Sequence, residues 1–261
     1  ITRERAAGSR VIEVGRDAMP ATVRHEVGAS GAVGWRVRIT PVSATGPLVR
    51  VSEPLELVIR ATGVTALLGP NGAGKSVLLA ALAGLVRPLG VAIERSATTP
   101  DSAQPPLLTD QFPERQVFEE HVEAEVVFAA RARGMGRAEA RTSAATAFER
   151  LGYPPEVLLA RRTWELSSGE KRLVETVAAL IAPASLLLLD EPTGGLDAAR
   201  RAALAGLVAD RAGRGPVVIA SQDLAWIRSL GAAETWLGGG WEDRKLEPAT
   251  IQSLTPPPPD P

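Results

Sequence analysis

The sequence contains a glycine-rich segment of a kind that binds phosphate groups. Residues 69–76 read GPNGAGKS and fit the pattern G-x-x-x-x-G-K-[ST], with an apolar run before them and a helix-forming stretch after them. The backbone N–H groups of such a loop converge on phosphate oxygens, and the following helix adds its positive N-terminus. The pattern predicts that Lys75 reaches the β- and γ-phosphates and that Ser76 binds Mg²⁺. The alternative is a glycine-rich turn that matches by coincidence.

Two acidic residues follow a second apolar run. Residues 186–191 read LLLLDE, so a buried strand would carry Asp190 and Glu191 to its carboxyl end, the edge where ligands bind in open α/β sheets. There Asp190 could hold Mg²⁺ through water, and Glu191 could orient or deprotonate the water that attacks a phosphate, as phosphoryl transfer requires. Taken alone, a plain strand that ends in Asp-Glu is an equal alternative.

A third segment, LSSGEKRLVE at 166–175, combines a helix start with groups that suit an anion. Ser167 and Glu170 have the S-x-x-E spacing of a capping box. The N–H groups and hydroxyls of Ser167, Ser168 and Gly169 would point at an anion from the helix N-terminus. Taken alone, the segment is equally explained as a well-capped helix.

These groups need a sheet that brings them together. The apolar runs at 64–69, 186–190 and 217–221 predict strands buried on both faces, as in a parallel sheet covered by helices. Helices are predicted at 75–85, 137–151 and 197–208. Strands that alternate with helices indicate an α/β fold. Half-buried strands are predicted by apolar residues that alternate with polar ones, namely Val37, Ile39, Leu55, Leu57 and Ile59.

The chain divides into a core region and two flanking segments. We expect an N-terminal extension at 1–34, a main domain at 35–247 and a proline-rich tail at 248–261. A helical insertion is expected at about 112–165 within the main domain. Its first part has apolar residues at near-helical spacing, namely Val117, Phe118, Val122, Val126 and Phe128.

Composition excludes several classes of protein. With 45% hydrophobic and 23% charged residues, the 261-residue chain has the balance of a folded domain. The net charge of -1 gives no global field for nucleic acid or an anionic membrane. The absence of cysteine excludes disulfides, thiolate zinc and a catalytic thiol. We expect no secretory signal and no membrane span, so that a membrane role would require a partner.

In their order and spacing, these motifs resemble those of the ATP-binding-cassette (ABC) ATPases over about residues 48–238. Gln111 in TDQFPERQVF corresponds to the family's Q-loop glutamine, Asp197 to the D-loop aspartate, and Gln222 in ASQDL lies at the switch position. The resemblance implies a P-loop NTPase fold of the ABC nucleotide-binding type. That fold has a mainly parallel sheet core, an N-terminal antiparallel β region and a helical subdomain.

The resemblance also implies a mechanism that uses ATP and Mg²⁺. Two nucleotide-binding domains pair head to tail, so that each ATP lies between the phosphate loop of one subunit and the signature segment of the other. The implied catalytic residues are Glu191, Gln222 and Gln111, and the implied Mg²⁺ ligands are Ser76, Gln111 and Asp190. The implied nucleotide-binding residues are Asn71, Gly72, Ala73, Gly74, Lys75, Ser76, Val77, Ser167, Ser168, Gly169, Glu170 and Asp197.

The segment at 111–134 narrows the resemblance to ATPases of energy-coupling-factor and cobalt-type importers, which take up vitamins and metal ions. It implies that an integral membrane coupling subunit docks near Gln111–Phe128 and that the chain is peripheral, at the cytoplasmic face of the cell membrane. The alternative is an amphipathic helix that packs on its own domain alone. The resemblance to these importers rests on Gln111, Phe112, Pro113, Glu114, Gln116, Phe118, Val122 and Phe128.

Three positions depart from the family pattern. Gln222 replaces the switch histidine, and because an amide cannot become cationic we expect slow hydrolysis. Ser168 stands where the signature usually has glycine. The stretch 42–51 contains no aromatic residue to stack on adenine, and Gly46 lies near the expected place.

Two other functions stay open. One is a non-transport ABC module, although nucleic acid is not expected because Arg161, Arg162 and Trp164 are too few for a basic aromatic stripe. The other is a degenerate, low-turnover subunit of a heterodimer, which Gln222 and Ser168 favour. The sequence does not decide between a homodimer and a heterodimer.

Overall fold

The computed structural model describes residues 32–43, 48–96, 104–112, 114 and 116–238. The expected tail at 248–261 lies outside these ranges, and so does the expected extension at 1–34 except for its last three residues. The first strand begins at Val33, so the expected boundary at residue 35 falls within it. The strands are β1 (Val33–Ile39), β2 (Leu55–Arg60), β3 (Gly63–Leu68), β4 (Val91–Arg95), β5 (Leu107–Thr109), β6 (Leu187–Asp190), β7 (Pro216–Ala220) and β8 (Ala233–Trp236).

The strands form two sheets. β1 pairs antiparallel with β2 and β4, which gives a three-stranded sheet of order β2-β1-β4. The other five strands are parallel neighbours in the order β5-β6-β7-β3-β8. The structure thus confirms the predicted α/β class, with a parallel sheet and an antiparallel region near the start of the described chain.

Seven α-helices connect or cover these strands in the described part of the chain. They are α1 (Lys75–Leu82), α2 (Val122–Ala132), α3 (Arg137–Arg150), α4 (Pro155–Ala160), α5 (Ser168–Ile181), α6 (Ala198–Ala212) and α7 (Leu224–Ser229), and a short 3-10 helix at Thr163–Glu165 precedes α5. None of the helices built from described residues combines the length and the apolar character that a membrane span requires.

The parallel sheet separates two hydrophobic clusters. One face of its strands packs with α2, α3, α5 and α6, where Leu187, Leu189 and Ile219 are fully buried. The other face packs with α1 and the antiparallel sheet, where Leu188 and Val218 are fully buried. Burial on both faces explains why these strands appear in the sequence as unbroken apolar runs.

The segment before α2 differs from the helical spacing of its apolar residues. α2 begins at Val122, so Val117 and Phe118 precede the helix. The carboxylate of Glu125 instead accepts the backbone N–H groups of Phe118, at 3.0 Å, and of Glu119, at 2.8 Å. The N–H of Val122, which another turn of helix would use, donates to the carbonyl of Arg161 at 3.1 Å, so the entry to α2 is not helical.

Candidate nucleotide-binding site

The carboxyl ends of the parallel strands meet around one cavity. β3 leads into the glycine-rich loop, β5 into Gln111, β6 into Glu191 and β7 into Gln222. The cavity has a volume of about 480 Å³. Twelve described residues line it: Leu48, Arg50, Asn71, Gly72, Gly74, Lys75, Ser76, Val77, Gln111, Asp190, Glu191 and Gln222. The structure therefore brings together most of the residues that the sequence predicted for the phosphate and Mg²⁺ sites. Ala73, in the same loop, is buried and does not line the cavity.

The glycine-rich loop is held tightly against a neighbouring segment. Gly74 has a φ of 93°, and a Cβ there would lie 2.4 Å from the carbonyl oxygen of Leu48. The N–H of Arg50 donates to the carbonyl of Ala73 at 2.9 Å. Gly74 is also the N-cap of α1 and brings no side chain to cap it, so the first-turn N–H groups of α1 face the cavity.

Lys75 folds back onto the loop that precedes it. Its Nζ donates to the carbonyl oxygens of Gly69, at 2.8 Å, and Pro70, at 3.0 Å. The side chain is buried, with 8% of its surface exposed. These carbonyls hold a compact ammonium at the cavity wall, where phosphate oxygens could replace them as acceptors.

Asp190 lies at the end of β6 with 5% of its surface exposed. Burial raises the pKa of its carboxyl, and the nearby charges of Glu191 and Asp110 add to this, whereas a hydrogen bond with the Ser76 side chain and the charge of Lys75 act in the opposite direction. Ser76 and Asp190 thus lie close together on the wall of the cavity. A hydroxyl beside a buried carboxylate is an oxygen pair that suits Mg²⁺.

Glu191 has an unusual backbone conformation. Its φ of 49° is the one positive φ of a non-glycine residue in the described ranges, and its N–H donates to Ala220 at 2.8 Å. Oε2 accepts from the Ser221 hydroxyl at 3.2 Å and from the Gln222 N–H at 3.4 Å. Oε1 is buried and has no partner among the described residues. The carboxylate is therefore oriented through Oε2, whereas Oε1 keeps its capacity to accept a hydrogen bond.

The amide of Gln222 contacts the phosphate loop directly. Its Nε2 donates to Oδ1 of Asn71 at 2.7 Å. This bond joins the end of β7 to the loop after β3 across the mouth of the cavity. The sequence predicted both residues for the site but gave no indication that they bond to each other.

Arg172 is a residue of this site that the sequence analysis did not single out. Its guanidinium donates to the backbone carbonyl of Gln111 at 2.5 Å and to that of Glu191 at 3.3 Å. Side-chain bonds to distant backbone carbonyls have no sequence signature, since every residue offers such an acceptor. The side chain of Gln111 is exposed beside the cavity.

The signature residues lie elsewhere. Ser167, Ser168, Gly169 and Glu170 are absent from the described lining of the cavity, as is Asp197. The predicted capping box of α5 is present, because the N–H of Ser167 donates to Glu170 at 2.9 Å and the Ser167 hydroxyl accepts from the Glu170 N–H at 3.3 Å.

Asp197 caps helix α6 of its own chain. It is the N-cap of that helix and accepts from the Arg200 N–H at 2.8 Å. The structure thus brings the phosphate loop, Asp190, Glu191, Gln111 and Gln222 together in one chain and leaves the signature and Asp197 outside that group.

Leu48 and Arg50 occupy the wall of the cavity next to the phosphate loop. No aromatic residue is among the described lining residues, in keeping with the aromatic-free stretch at 42–51. Gly46 lies outside the described residues.

Known proteins are similar to this chain in sequence and in fold. The chain is 38% identical over 145 residues to the energy-coupling factor transporter ATP-binding protein EcfA2 of Bacillus cereus, covering 52% of this chain and 49% of the relative. It is 35% identical over 163 residues to EcfA2 of Latilactobacillus sakei, covering 59% and 56%. The chain thus spans about half the length of these curated relatives.

Solved structures agree on the fold. An ATP binding subunit of an ABC transporter superposes with a TM-score of 0.63 at 25% identity, covering 78% of this chain and 85% of the other. The structure of cbiO1 from Clostridium perfringens, part of the ABC transporter complex cbiONQ, gives 0.58 at 23% identity, with the same coverage of 78% and 85%. Residues 52–194, more than half of the chain, match the model of one family. The chain therefore belongs to the ABC transporter family.

Proposed function

We propose that this chain is the ATP-binding and ATP-hydrolysing subunit of an energy-coupling-factor-type importer that takes up a vitamin or a metal ion. The observation that carries this proposal is the convergence of Lys75, Ser76, Asp190 and Glu191 on one cavity at the carboxyl edge of the parallel sheet. The family membership and the EcfA2 relatives support the transport role.

The phosphate loop would bind the triphosphate of ATP. The N–H groups at the start of α1 and the Lys75 ammonium would meet the phosphate oxygens, with Lys75 leaving the carbonyls of Gly69 and Pro70. Ser76 and Asp190 would hold Mg²⁺ together with Gln111, and the ion would neutralise charge on the phosphate oxygens. The described residues contain no group of three acidic or histidine side chains that could hold a metal alone. The phosphates would therefore supply further ligands.

Glu191 is placed to act on the attacking water. Ser221 and the Gln222 N–H orient its Oε2, and Oε1, which has no partner among the described residues, would turn out of its buried position to accept a hydrogen bond or a proton from that water. The Gln222 amide can hydrogen-bond the γ-phosphate after it releases Asn71, but it brings no positive charge. This difference underlies our expectation of slow turnover.

A second ABC subunit would complete the site. Because the signature N-terminus and Asp197 lie outside the cavity of their own chain, they are available to the ATP that a partner holds. We propose that ATP drives the association of two such subunits head to tail, either as a homodimer or as a heterodimer.

An exposed groove beside α2 is the proposed docking site for the membrane coupling subunit. Its cavity of about 680 Å³ is lined in part by Glu119, Phe128 and Met135. Phe118, 63% exposed, packs edge-to-face on Phe128, 46% exposed, with ring centroids 4.7 Å apart. Exposed aromatic pairs of this kind mark interaction surfaces, and docking here would place the chain at the cytoplasmic face of the membrane.

Gln222 also favours a second candidate, a low-turnover subunit of a heterodimer. If the neutral amide limits hydrolysis, Gln222→His should raise the turnover number several-fold in a steady-state ATPase assay. An unchanged rate would show that the missing imidazole is not the limiting feature.

Co-purification from membranes tests the transport role. The full chain, expressed with a tag in its source cells, should bring integral membrane proteins with it, and Phe118→Ser with Phe128→Ser should lose them while MgATP binding persists. Leu89→Ser is the matched control, since Leu89 is also 63% exposed but belongs neither to the groove lining nor to the aromatic pair. Equal loss of the membrane proteins in the control, or no membrane proteins with the wild type, would contradict the docking proposal.

A further inference from the structure

Arg172 connects the ends of two strands, and the residues that follow these strands carry the proposed chemistry. Its two terminal nitrogens donate to different carbonyls, one at Gln111 after β5 and the other at Glu191 after β6. A planar guanidinium can make both bonds at once in a fixed geometry, whereas a lysine ammonium offers a single point of contact. The spacing of the two loops is therefore set by the shape of one side chain.

The space for this side chain depends on a glycine. A Cβ at Gly194 would lie 2.0 Å from a terminal nitrogen of Arg172. The N–H of Gly194 also donates to the Glu191 carbonyl, at 3.3 Å, so this oxygen accepts from both residues. Gly194 thus leaves a slot through which Arg172 reaches the turn that presents the Glu191 carboxylate.

Two acidic side chains lie near the guanidinium of Arg172. Glu175 lies one turn further along α5 and is buried, and Glu114 lies beside Ser168 at the start of the same helix. Both interact electrostatically with Arg172. Because Glu175 keeps its proton at neutral pH, the charged neighbour of this partly exposed guanidinium is Glu114.

The helix that carries Arg172 also presents the signature. Ser168 is the first residue of α5, and Arg172 follows one turn later. One rigid element therefore joins the surface proposed for the partner's ATP to the cavity of its own chain.

We propose that Arg172 is a positioning residue for ATP hydrolysis, which holds the Gln111 loop and the Glu191 turn at a fixed separation so that both side chains face the same γ-phosphate. This inference rests on the proposed ATPase function. It adds a physical link between the two ATP sites of a dimer, because a displacement of α5 at the signature would move both carbonyl contacts.

Arg172→Ala and Arg172→Lys test the proposal against Arg133→Ala and Arg133→Lys. Arg133 is a matched control, since its guanidinium also binds backbone carbonyls, those of Pro105 at 2.6 Å and of Pro106 and Pro183 at 3.0 Å, but away from the cavity. Arg172→Ala should lower kcat by about 10- to 100-fold with KM changed by less than about 3-fold. Arg172→Lys should recover part of the loss, and the Arg133 variants should keep the wild-type kcat per folded molecule.

Hydrogen exchange gives a readout that does not require hydrolysis. In Arg172→Ala, the amides of Asp110 and Gly194 should exchange faster than in the wild type, and in Arg133→Ala they should not. Unchanged exchange at both amides, or a kcat equal to that of Arg133→Ala, would overturn the positioning role. A wild-type chain that binds no MgATP would instead contradict the proposed function, and the exchange result would still decide whether Arg172 holds the two loops.

Discussion

The N-termini of α1 and α5 can both face an anion, but they are prepared for it in opposite ways. α1 starts after Gly74, which offers no capping side chain, and Lys75 lies at the same point. α5 starts after Ser167, whose side chain and backbone are both bonded to Glu170. The first turn of α1 is therefore open to a ligand along its whole length, while in the first turn of α5 the N–H of Glu170 is already bonded within its own chain.

Charge strengthens this difference. The α1 end carries an ammonium, whereas the α5 end carries the carboxylate of Glu170, paired with Arg161 at 2.7 Å. Burial acts to raise the pKa of Glu170, but hydrogen bonds from Ser167 and Arg161 outweigh it and lower the pKa, so the carboxylate stays charged. A phosphate that approaches α5 must compete with Glu170. In the proposed dimer, binding to α1 would therefore precede the partner, whereas contact with α5 would need closure of the dimer.

The largest expected effect follows from removing the cation at α1. Lys75→Ala should weaken MgATP binding by about 100-fold or more, because an ammonium on phosphate makes strong charge-assisted bonds. Lys171→Ala, near the start of α5, should leave the affinity of the isolated chain within about 2-fold. Calorimetry on both variants measures this. Equal losses would mean that the two helix ends contribute alike.

Glu191→Gln tests whether α5 acts on a partner's nucleotide. The amide cannot accept a proton, so turnover should fall by about 100-fold or more and ATP should stay bound. A dimer should then accumulate at saturating MgATP, which light scattering after gel filtration would detect. If the variant stays a monomer under these conditions, the result would contradict an ATPase homodimer. The second subunit would then have to be a different chain.

Glu170→Gln sharpens the comparison at α5 itself. The substitution keeps a hydrogen-bonding side chain but removes the negative charge that faces an incoming phosphate. We expect MgATP-dependent dimerisation to strengthen several-fold in the Glu191→Gln background, at a cost of at most about 1 kcal/mol in the free energy of unfolding from the lost ion pair. Sedimentation equilibrium gives the dimer affinity, and weaker dimerisation would argue that the carboxylate itself contacts the nucleotide.

The bodies of the two helices also differ, since α5 buries a carboxyl and α1 has none. Burial, with the charge of Glu125 as a second cause, raises the pKa of Glu175 to about 8. The folded chain therefore keeps this proton up to a pH at which the unfolded chain has lost it. Its contribution to the free energy of unfolding falls as pH rises from about 4.5 to about 8, by up to about 1.4 kcal/mol per pH unit.

Glu175→Gln should flatten this pH dependence. Urea unfolding at several pH values within the window should show the variant gaining stability relative to the wild type as pH rises. Asp190 and Glu125, whose pKa values burial also raises, leave a slope of the same sign in the variant. Parallel curves for the two proteins would show that Glu175 does not titrate in this range.

The main predictions from the sequence came from local patterns. The unbroken apolar runs predicted β3, β6 and β7 because strands buried on both faces admit no polar residue. Helix α1, predicted at 75–85, ends at Leu82, and α6, predicted at 197–208, continues to Ala212. Helix ends are less well determined, since the final turns depend on what packs against them.

The entry to α2 shows where a local pattern misleads. Phe118 and Phe128 belong to a set of apolar residues at near-helical spacing, yet Phe118 lies outside the helix. The two rings meet through a bend at which Glu125 accepts the N–H of Phe118. The periodicity of a sequence describes only how its apolar residues are spaced. It does not report that a carboxylate seven residues away takes the N–H groups of the segment.

Residue types at fixed spacing along the chain were enough to predict the α/β class, the phosphate loop and the acidic pair after β6. The tertiary structure alone decided that Gln222 bonds Asn71, that Arg172 joins the loops of Gln111 and Glu191, and that the start of α5 lies outside the cavity. These contacts join residues far apart in the chain, several of them through backbone carbonyls. Since every residue carries such a carbonyl, residue type does not reveal which one is used, and only the packing of the elements selects it.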